Sequence, residues 1–180
     1  MKFSVAAAAT ALVLASSASA NHVFTLNNRC GNAVNAVVAD TRCGFSPRCA
    51  GASSFTGAQP GNIAAGTSKT VTIPSNWVGR IFNQNGKCGA KGDGCSLTEF
   101  NLDTGNNFTP QSYDISNIQG FTQSLQISSP GCDTVTCRNA NCGCTNAFPV
   151  GVSTPLAVVT TSQFVLVVLE MFLSLSHSAL

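Results

Sequence analysis

The sequence has few charged and few aromatic residues for its length. Charged residues make up 9% of the 180 residues, aromatic residues make up 7%, and the formal net charge is +2. Such a chain has no basic surface to attract the phosphates of a nucleic acid or the headgroups of an anionic membrane. We therefore expect neither nucleic acid nor a membrane surface as a partner.

The sequence also lacks the motifs of several common catalytic centres. It has two histidines, His22 and His177, and no glycine-rich phosphate loop or dinucleotide fingerprint, so we expect no Ser-His-Asp triad, cofactor or metal. Residues 1–20 read as a secretory signal, with Lys2, an apolar stretch and a small-residue cleavage site at residues 18–20. Cleavage after Asn21 would make His22 an N-terminal copper ligand, whereas the expected cleavage before Asn21 leaves it a strand histidine.

Cysteine, by contrast, is abundant. All nine cysteines lie between Cys30 and Cys144, in a segment rich in small polar residues, and together with the signal this predicts a secreted domain with disulfide-closed loops. The alternative is a Cys₄ zinc site among the last four cysteines, but their spacing differs from paired C-x₂-C knuckles. The cysteines expected in disulfides are Cys43, Cys49, Cys88, Cys95, Cys132, Cys137, Cys142 and Cys144.

The longest β-like pattern covers residues 96–127. Apolar residues alternate with polar ones over residues 97–102, turn residues follow at 105–107, and the apolar series resumes at Tyr113 and again after Gly120. This pattern predicts three strands separated by turns. Two of them carry Glu99 and Asp114, which adjacent strands would bring to the same rim. The turn also contains an N-glycosylation acceptor at Asn107.

This stretch resembles the thaumatin-like protein family. The resemblance rests on LTEF at residues 97–100, YDISNI at 113–118, Gly-Phe at 120–121 and the cysteine-rich segment that follows, with support from residues 28–30 and 79–82. It covers residues 21–150. It implies an all-β fold, an antiparallel β-sandwich with disulfide-rich loops.

The resemblance also implies a site. The family's cleft carries an arginine and four acidic residues, to which Arg80, Glu99 and Asp114 correspond; Gln119 stands where the family has an aspartate, and the last acidic residue has no assigned counterpart. Two carboxylates can hydrolyse a glycosidic bond when one is a protonated acid. We assign Glu99 as the acid, Asp114 as its partner and Arg80 as the residue that orients them.

The function implied by the resemblance is binding of cell-wall β-1,3-glucan by a secreted protein, extracellular or associated with the cell wall, of the antifungal defence or wall-remodelling type. Two alternatives stay open: a weak endo-β-1,3-glucanase that uses Glu99 and Asp114, and a non-catalytic structural domain or inhibitor. Trp77, the only tryptophan, fits either a sugar-stacking platform beside Arg80 and Gln119 or a core position.

The composition changes in the apolar tail, residues 151–180. Nine is an odd number of cysteines, and the resemblance implies that Cys30 pairs with a cysteine of a closing strand, which this chain lacks after Cys144. We therefore expect an unpaired Cys30, an open sheet edge with poor folding or dimerisation, and a disordered or helical tail that comes from a mispredicted gene end. The alternative for the tail is a lipid-anchor signal, the one route to a membrane.

Overall fold

The structure is a computed structural model that describes residues 21–41, 51–102, 111–143, 147 and 164–170. Within these ranges it contains ten β-strands and no helix, and so no helix that is long and apolar enough to cross a membrane. The strands are β1 (His22–Asn28), β2 (Val34–Asp40), β3 (Gly61–Ile63), β4 (Ser68–Ile73), β5 (Trp77–Asn83), β6 (Leu97–Leu102), β7 (Gln111–Ser116), β8 (Ser124–Ser128), β9 (Val135–Cys137) and β10 (Phe164–Glu170).

The strands form two five-stranded sheets. Sheet A has the order β4-β1-β10-β8-β9, and sheet B has the order β3-β2-β5-β6-β7. Every pairing is antiparallel except that between β1 and β10. The predicted all-β fold with antiparallel sheets is confirmed.

The core lies between the sheets because apolar residues that alternate with more polar ones along strands such as β1 and β6 point inward. Phe24 of sheet A and Phe100 of sheet B meet edge to face, with ring centroids 4.9 Å apart. Leu26, Leu125 and Ile127 are also fully buried, and burial of each such side chain contributes about 1.5–3 kcal/mol.

The expectation of a disordered or helical tail outside the β domain is wrong for Phe164–Glu170. These residues form β10, which pairs with β1 on one side and with β8 on the other. In sheet A, as the described residues form it, β10 therefore fills the position at which the lack of a closing strand was expected to leave an open edge. The run FVLVVLE is rich in β-branched and other apolar residues, which favour a strand.

Two disulfides lie within the described residues, Cys88–Cys95 and Cys137–Cys142. They confirm the expected cross-linking for four of the eight cysteines. Cys30 is buried in the core and Cys132 is half-buried, and the predictions about their pairing stay predictions. The signal segment and the predicted positions Cys43, Cys49, Cys144 and Asn107 lie outside the described residues.

Candidate functional site

Three neighbouring strands of sheet B place the predicted site residues in one row. Arg80 of β5 is paired with Glu99 of β6, and Glu99 is paired with Asp114 of β7. Directly opposite residues of antiparallel strands point to the same face of a sheet. Arg80, Glu99 and Asp114, here called the acidic row, therefore lie side by side, as the sequence predicted for the two carboxylates.

The acidic row is on the outer face of sheet B, away from the core. In β6, Phe100 and Leu102 point into the core, so Glu99 and Asn101 between and beside them point outward. Glu99 and Asp114 are both half-buried. Both carboxylates are thus on one face, and neither is enclosed by the core.

Arg80 is almost completely buried, with 8% of it exposed, and three groups hold its guanidinium. Its Nη2 donates to Glu99 Oε1 over 2.9 Å, its Nη1 donates to the carbonyl oxygen of Lys91 over 3.2 Å, and Nη1 lies 3.8 Å from Asp93 Oδ1. These charge-assisted contacts fix the guanidinium and the Glu99 carboxylate relative to each other. The orienting role of Arg80 in catalysis stays a prediction.

The pKa of Asp114 is raised well above its ordinary value. Burial is the main cause, the negative charge of Glu99 adds to it, and the positive charge of Arg80 opposes it. Asp114 Oδ1 is buried and finds no hydrogen-bond partner among the described residues. Asp114 thus has the raised pKa, and Glu99 makes the ion pair with Arg80. The assignment of Glu99 as the acid and Asp114 as its partner stays a prediction.

A loop covers the outer face on one side of the acidic row. This loop, residues 84–95 and here called the covering loop, is closed by the Cys88–Cys95 disulfide and packs on a small apolar cluster that includes Phe82 and Leu97. A Cβ on Gly92, whose φ is +86°, would lie 2.6 Å from Leu97 Cδ2, so only glycine allows this close approach. The covering loop therefore forms a wall beside the acidic row.

Gln119 and Asp93 belong to this wall. Gln119 is exposed, and its Oε1 accepts a hydrogen bond from the Gly94 backbone N–H over 3.1 Å, so it ties the covering loop to the end of β7. Asp93 adds a carboxylate next to Arg80 that the sequence analysis did not single out. The sequence feature that could have indicated Asp93 is the Gly-Asp-Gly run directly before Cys95.

Trp77 is a core residue, so its interpretation as a sugar-stacking platform is wrong. Its side chain is fully buried on the inner face of sheet B, and its Nε1 donates to Asp40 Oδ1 over 2.8 Å. A Cβ on Gly79 would lie 2.0 Å from Trp77 Cζ2, because the indole occupies the space that a side chain at position 79 would need. Only a residue without a side chain is compatible with this packing.

An open depression adjoins the acidic row at its β2 end. Ala39, which is paired with Arg80, lines this depression of about 450 Å³ together with Asp40, Ala90 and Lys91. The described residues contain no group of three or more His, Cys, Asp or Glu side chains that would hold a metal ion. His22 is buried in β1.

No family model and no curated protein matches the sequence. Solved structures do resemble the fold. The thaumatin-like xylanase inhibitor TLXI is 18% identical, with a TM-score of 0.51 over 81% of this chain and 97% of the inhibitor. The protein elicitor MoHrip2 from Magnaporthe oryzae is 16% identical, with a TM-score of 0.51 over 82% of this chain and 98% of the elicitor. Together with the two sheets and the disulfides, these likenesses show that the chain has the thaumatin-like fold.

Proposed function

We propose that this chain is a secreted protein of thaumatin-like fold that binds cell-wall β-1,3-glucan at the acidic row, in antifungal defence or wall remodelling. The observation that carries the proposal is that Arg80, Glu99 and Asp114 lie side by side on an outward face beside an open depression. Carboxylates accept hydrogen bonds from sugar hydroxyls, and a protonated carboxyl also donates one. The two disulfides support an extracellular location.

Sedimentation with insoluble β-1,3-glucan tests the proposal. We expect the wild-type protein to bind, and we expect Glu99→Gln combined with Asp114→Asn to weaken binding by at least about tenfold, because a hydrogen bond to a charged group contributes about 1.5–3 kcal/mol. Asp133→Asn is the matched control, since Asp133 is an exposed carboxylate outside the acidic row. A wild-type protein that stays in solution, or equal binding by the row variant, would contradict the proposal.

A second candidate function is slow hydrolysis of the same glucan. The observation that favours it is the difference between the two carboxyl groups: Asp114 has a raised pKa, and Glu99 is ion-paired with Arg80. Opposite residues of paired strands have Cβ atoms about 4.5–5.5 Å apart, so both carboxyl groups can reach one sugar residue; a carboxyl separation of about 5–5.5 Å would make the reaction a retaining one. Asp114 would then donate its proton to the leaving glycosidic oxygen while Glu99 attacks the anomeric carbon. Water deprotonated by Asp114 would next hydrolyse the glycosyl–Glu99 ester, which restores the Glu99 carboxylate and the Asp114 acid.

Release of reducing sugar from soluble β-1,3-glucan separates binding from hydrolysis. We expect Asp114→Asn to abolish any release while the protein remains folded, because an amide has no proton of comparable acidity to give. Binding without release in the wild-type protein would eliminate the hydrolase and leave the binding proposal intact.

A further inference from the structure

We infer that Asn85 in the covering loop is a site of spontaneous modification, at which its side-chain amide is converted to aspartate and isoaspartate. This inference is independent of the proposed function. Asn85 is the one asparagine of the sequence that is followed directly by glycine, Gly86. Both residues are exposed and lie outside the strands. The following glycine matters because its backbone nitrogen is the attacking atom, and a side chain beside that nitrogen would crowd the approach.

The reaction needs only water as a co-reactant. The Gly86 nitrogen gives its proton to hydroxide and attacks Asn85 Cγ, so that a bond forms between the two atoms and a five-membered succinimide ring closes. The bond from Cγ to Nδ2 breaks, and Nδ2 takes a proton from water and leaves as ammonia, which regenerates the hydroxide. A second water molecule opens the ring at either carbonyl carbon and yields aspartate or isoaspartate. One water is consumed and one ammonia is released, and no group is oxidised or reduced.

The structure supplies a hydrogen-bond donor at the atom on which negative charge develops. The Lys87 backbone N–H donates to Asn85 Oδ1 over 2.9 Å. This bond is that of an Asx turn, and it folds the Asn85 side chain back over the peptide bond that contains the attacking nitrogen. When the nitrogen attacks Cγ, the carbonyl oxygen Oδ1 becomes an oxyanion. The Lys87 N–H therefore stabilises the tetrahedral intermediate as the backbone donors of an oxyanion hole do.

The attacking nitrogen is held in place without being blocked. Gly86 has a φ of +85°, and a Cβ there would meet no heavy atom of the described residues within 4 Å. The Gly86 N–H donates to Gln84 Oε1 over 3.2 Å, but this bond lies in the peptide plane, whereas attack uses the orbital perpendicular to that plane. Gln84 Nε2 donates in turn to the carbonyl oxygens of Cys88 and Gly89, over 3.1 and 3.2 Å, and so anchors the turn to the covering loop.

Asn83, two residues earlier, provides an internal comparison. It ends β5 and is followed by glutamine rather than glycine. Its Oδ1 accepts from the Asn35 backbone N–H over 2.9 Å, and its Nδ2 donates to Gln123 Oε1 over 2.7 Å. Rotation of the Asn83 side chain toward the next backbone nitrogen would break both bonds. Asn83 should therefore persist under conditions in which Asn85 reacts.

Peptide mapping by mass spectrometry tests this inference on the folded full chain. Trypsin cleaves after Arg80 and Lys87, so both asparagines are recovered in one peptide, residues 81–87, and fragment ions assign the mass increase of amide hydrolysis to one of them. After incubation at neutral to mildly alkaline pH, we expect the converted fraction at Asn85 to exceed that at Asn83 at least about tenfold. The fraction at Asn85 should rise with pH, because the attacking nitrogen must lose its proton. An isoaspartate-specific methyltransferase should label part of the product.

Two controls separate the reaction of the folded chain from other causes. A sample digested without incubation measures conversion during the digestion itself. Asn85→Gln should remove the signal at position 85, because the longer side chain would have to close a six-membered ring. The comparison of Asn85 with Asn83 needs no variant, so it stands whether or not Asn85→Gln folds. An unchanged Asn85, equal conversion of both asparagines, or conversion that arises only during digestion would overturn the inference.

Discussion

The two faces of sheet B use the same strands for different purposes. The inner face is apolar and fully covered by sheet A, with Trp77, Ile81 and Phe100 buried among core residues. The outer face is divided: the part under the covering loop is a second small apolar cluster, and the acidic row lies beside it. A polar site thus stands directly behind the core and borders a second hydrophobic cluster.

This division has a consequence for the site. Arg80 is paired with Ala39 on one side and with Glu99 on the other, and its guanidinium also contacts the covering loop. The surroundings exclude water from most of Arg80 and from Asp114 Oδ1. Burial disfavours the charged form of a carboxyl group, and it is the main reason that the pKa of Asp114 is raised.

The largest expected effect comes from the inner face. We expect Trp77→Ala to lower the free energy of unfolding by about 3–5 kcal/mol, because it empties a fully buried site and removes one of the two donors to Asp40 Oδ1, the other being the Phe55 backbone N–H. Urea unfolding followed by circular dichroism measures this. If Trp77 served mainly as a sugar platform, the variant would instead lose glucan binding with little change in stability.

A smaller effect is expected from the covering loop. We expect Cys88→Ala combined with Cys95→Ala to lower the free energy of unfolding by about 2–3 kcal/mol, since the disulfide closes a short segment and less entropy is removed from the unfolded chain than by a long loop. The release of the covering loop should also expose Phe82 and Leu97, which binding of a hydrophobic dye detects.

The inner and outer faces would respond differently to this change. Tertiary circular dichroism of the core should persist in the double cysteine variant, because Trp77 and Phe100 lie on the opposite face of the sheet. If the tertiary circular dichroism is lost when the hydrophobic dye binds, the covering loop and the core form one cooperative unit. The apolar cluster under the covering loop would then not open independently of the core.

The sequence predicted the parts of this arrangement that depend on local alternation. The period-2 pattern over residues 97–102, with Asp114 in the next strand, was sufficient to predict that Glu99 and Asp114 share a rim. The face on which Leu97 lies was not predicted, because this apolar residue points outward and is covered by the covering loop. Alternation alone does not distinguish an apolar residue of the core from one that a loop covers on the other face.

The remaining features depend on contacts between residues far apart in the sequence. The raised pKa of Asp114 follows first from its burial in the folded chain, and a motif does not contain that burial. Phe164–Glu170 lies between β1 and β8, but its sequence does not alternate, and an apolar run of this length has no local signal that distinguishes a central strand from other apolar segments.

The smallest effect concerns the acidic row itself and depends on pH. The pKa of Asp114 in the folded protein is raised well above its unfolded value, so the folded state binds more protons and stability falls as the pH rises from the unfolded pKa through the folded one. We expect Asp114→Asn to remove this fall and to be more stable than the wild-type protein at neutral pH. Urea unfolding at a series of pH values from about 3 to about 8 covers the unfolded pKa and the region above it.

Two further variants locate the cause of this pH dependence. Asp133→Asn, which changes an exposed carboxylate outside the acidic row, should keep the wild-type slope. Glu99→Gln should flatten the slope in part, because the charge of Glu99 is the second contribution to the raised pKa of Asp114, after burial. If the stability of Asp114→Asn falls with pH as steeply as that of the wild-type protein, Asp114 is an ordinary surface aspartate. The case for Asp114 as a proton donor would then fail.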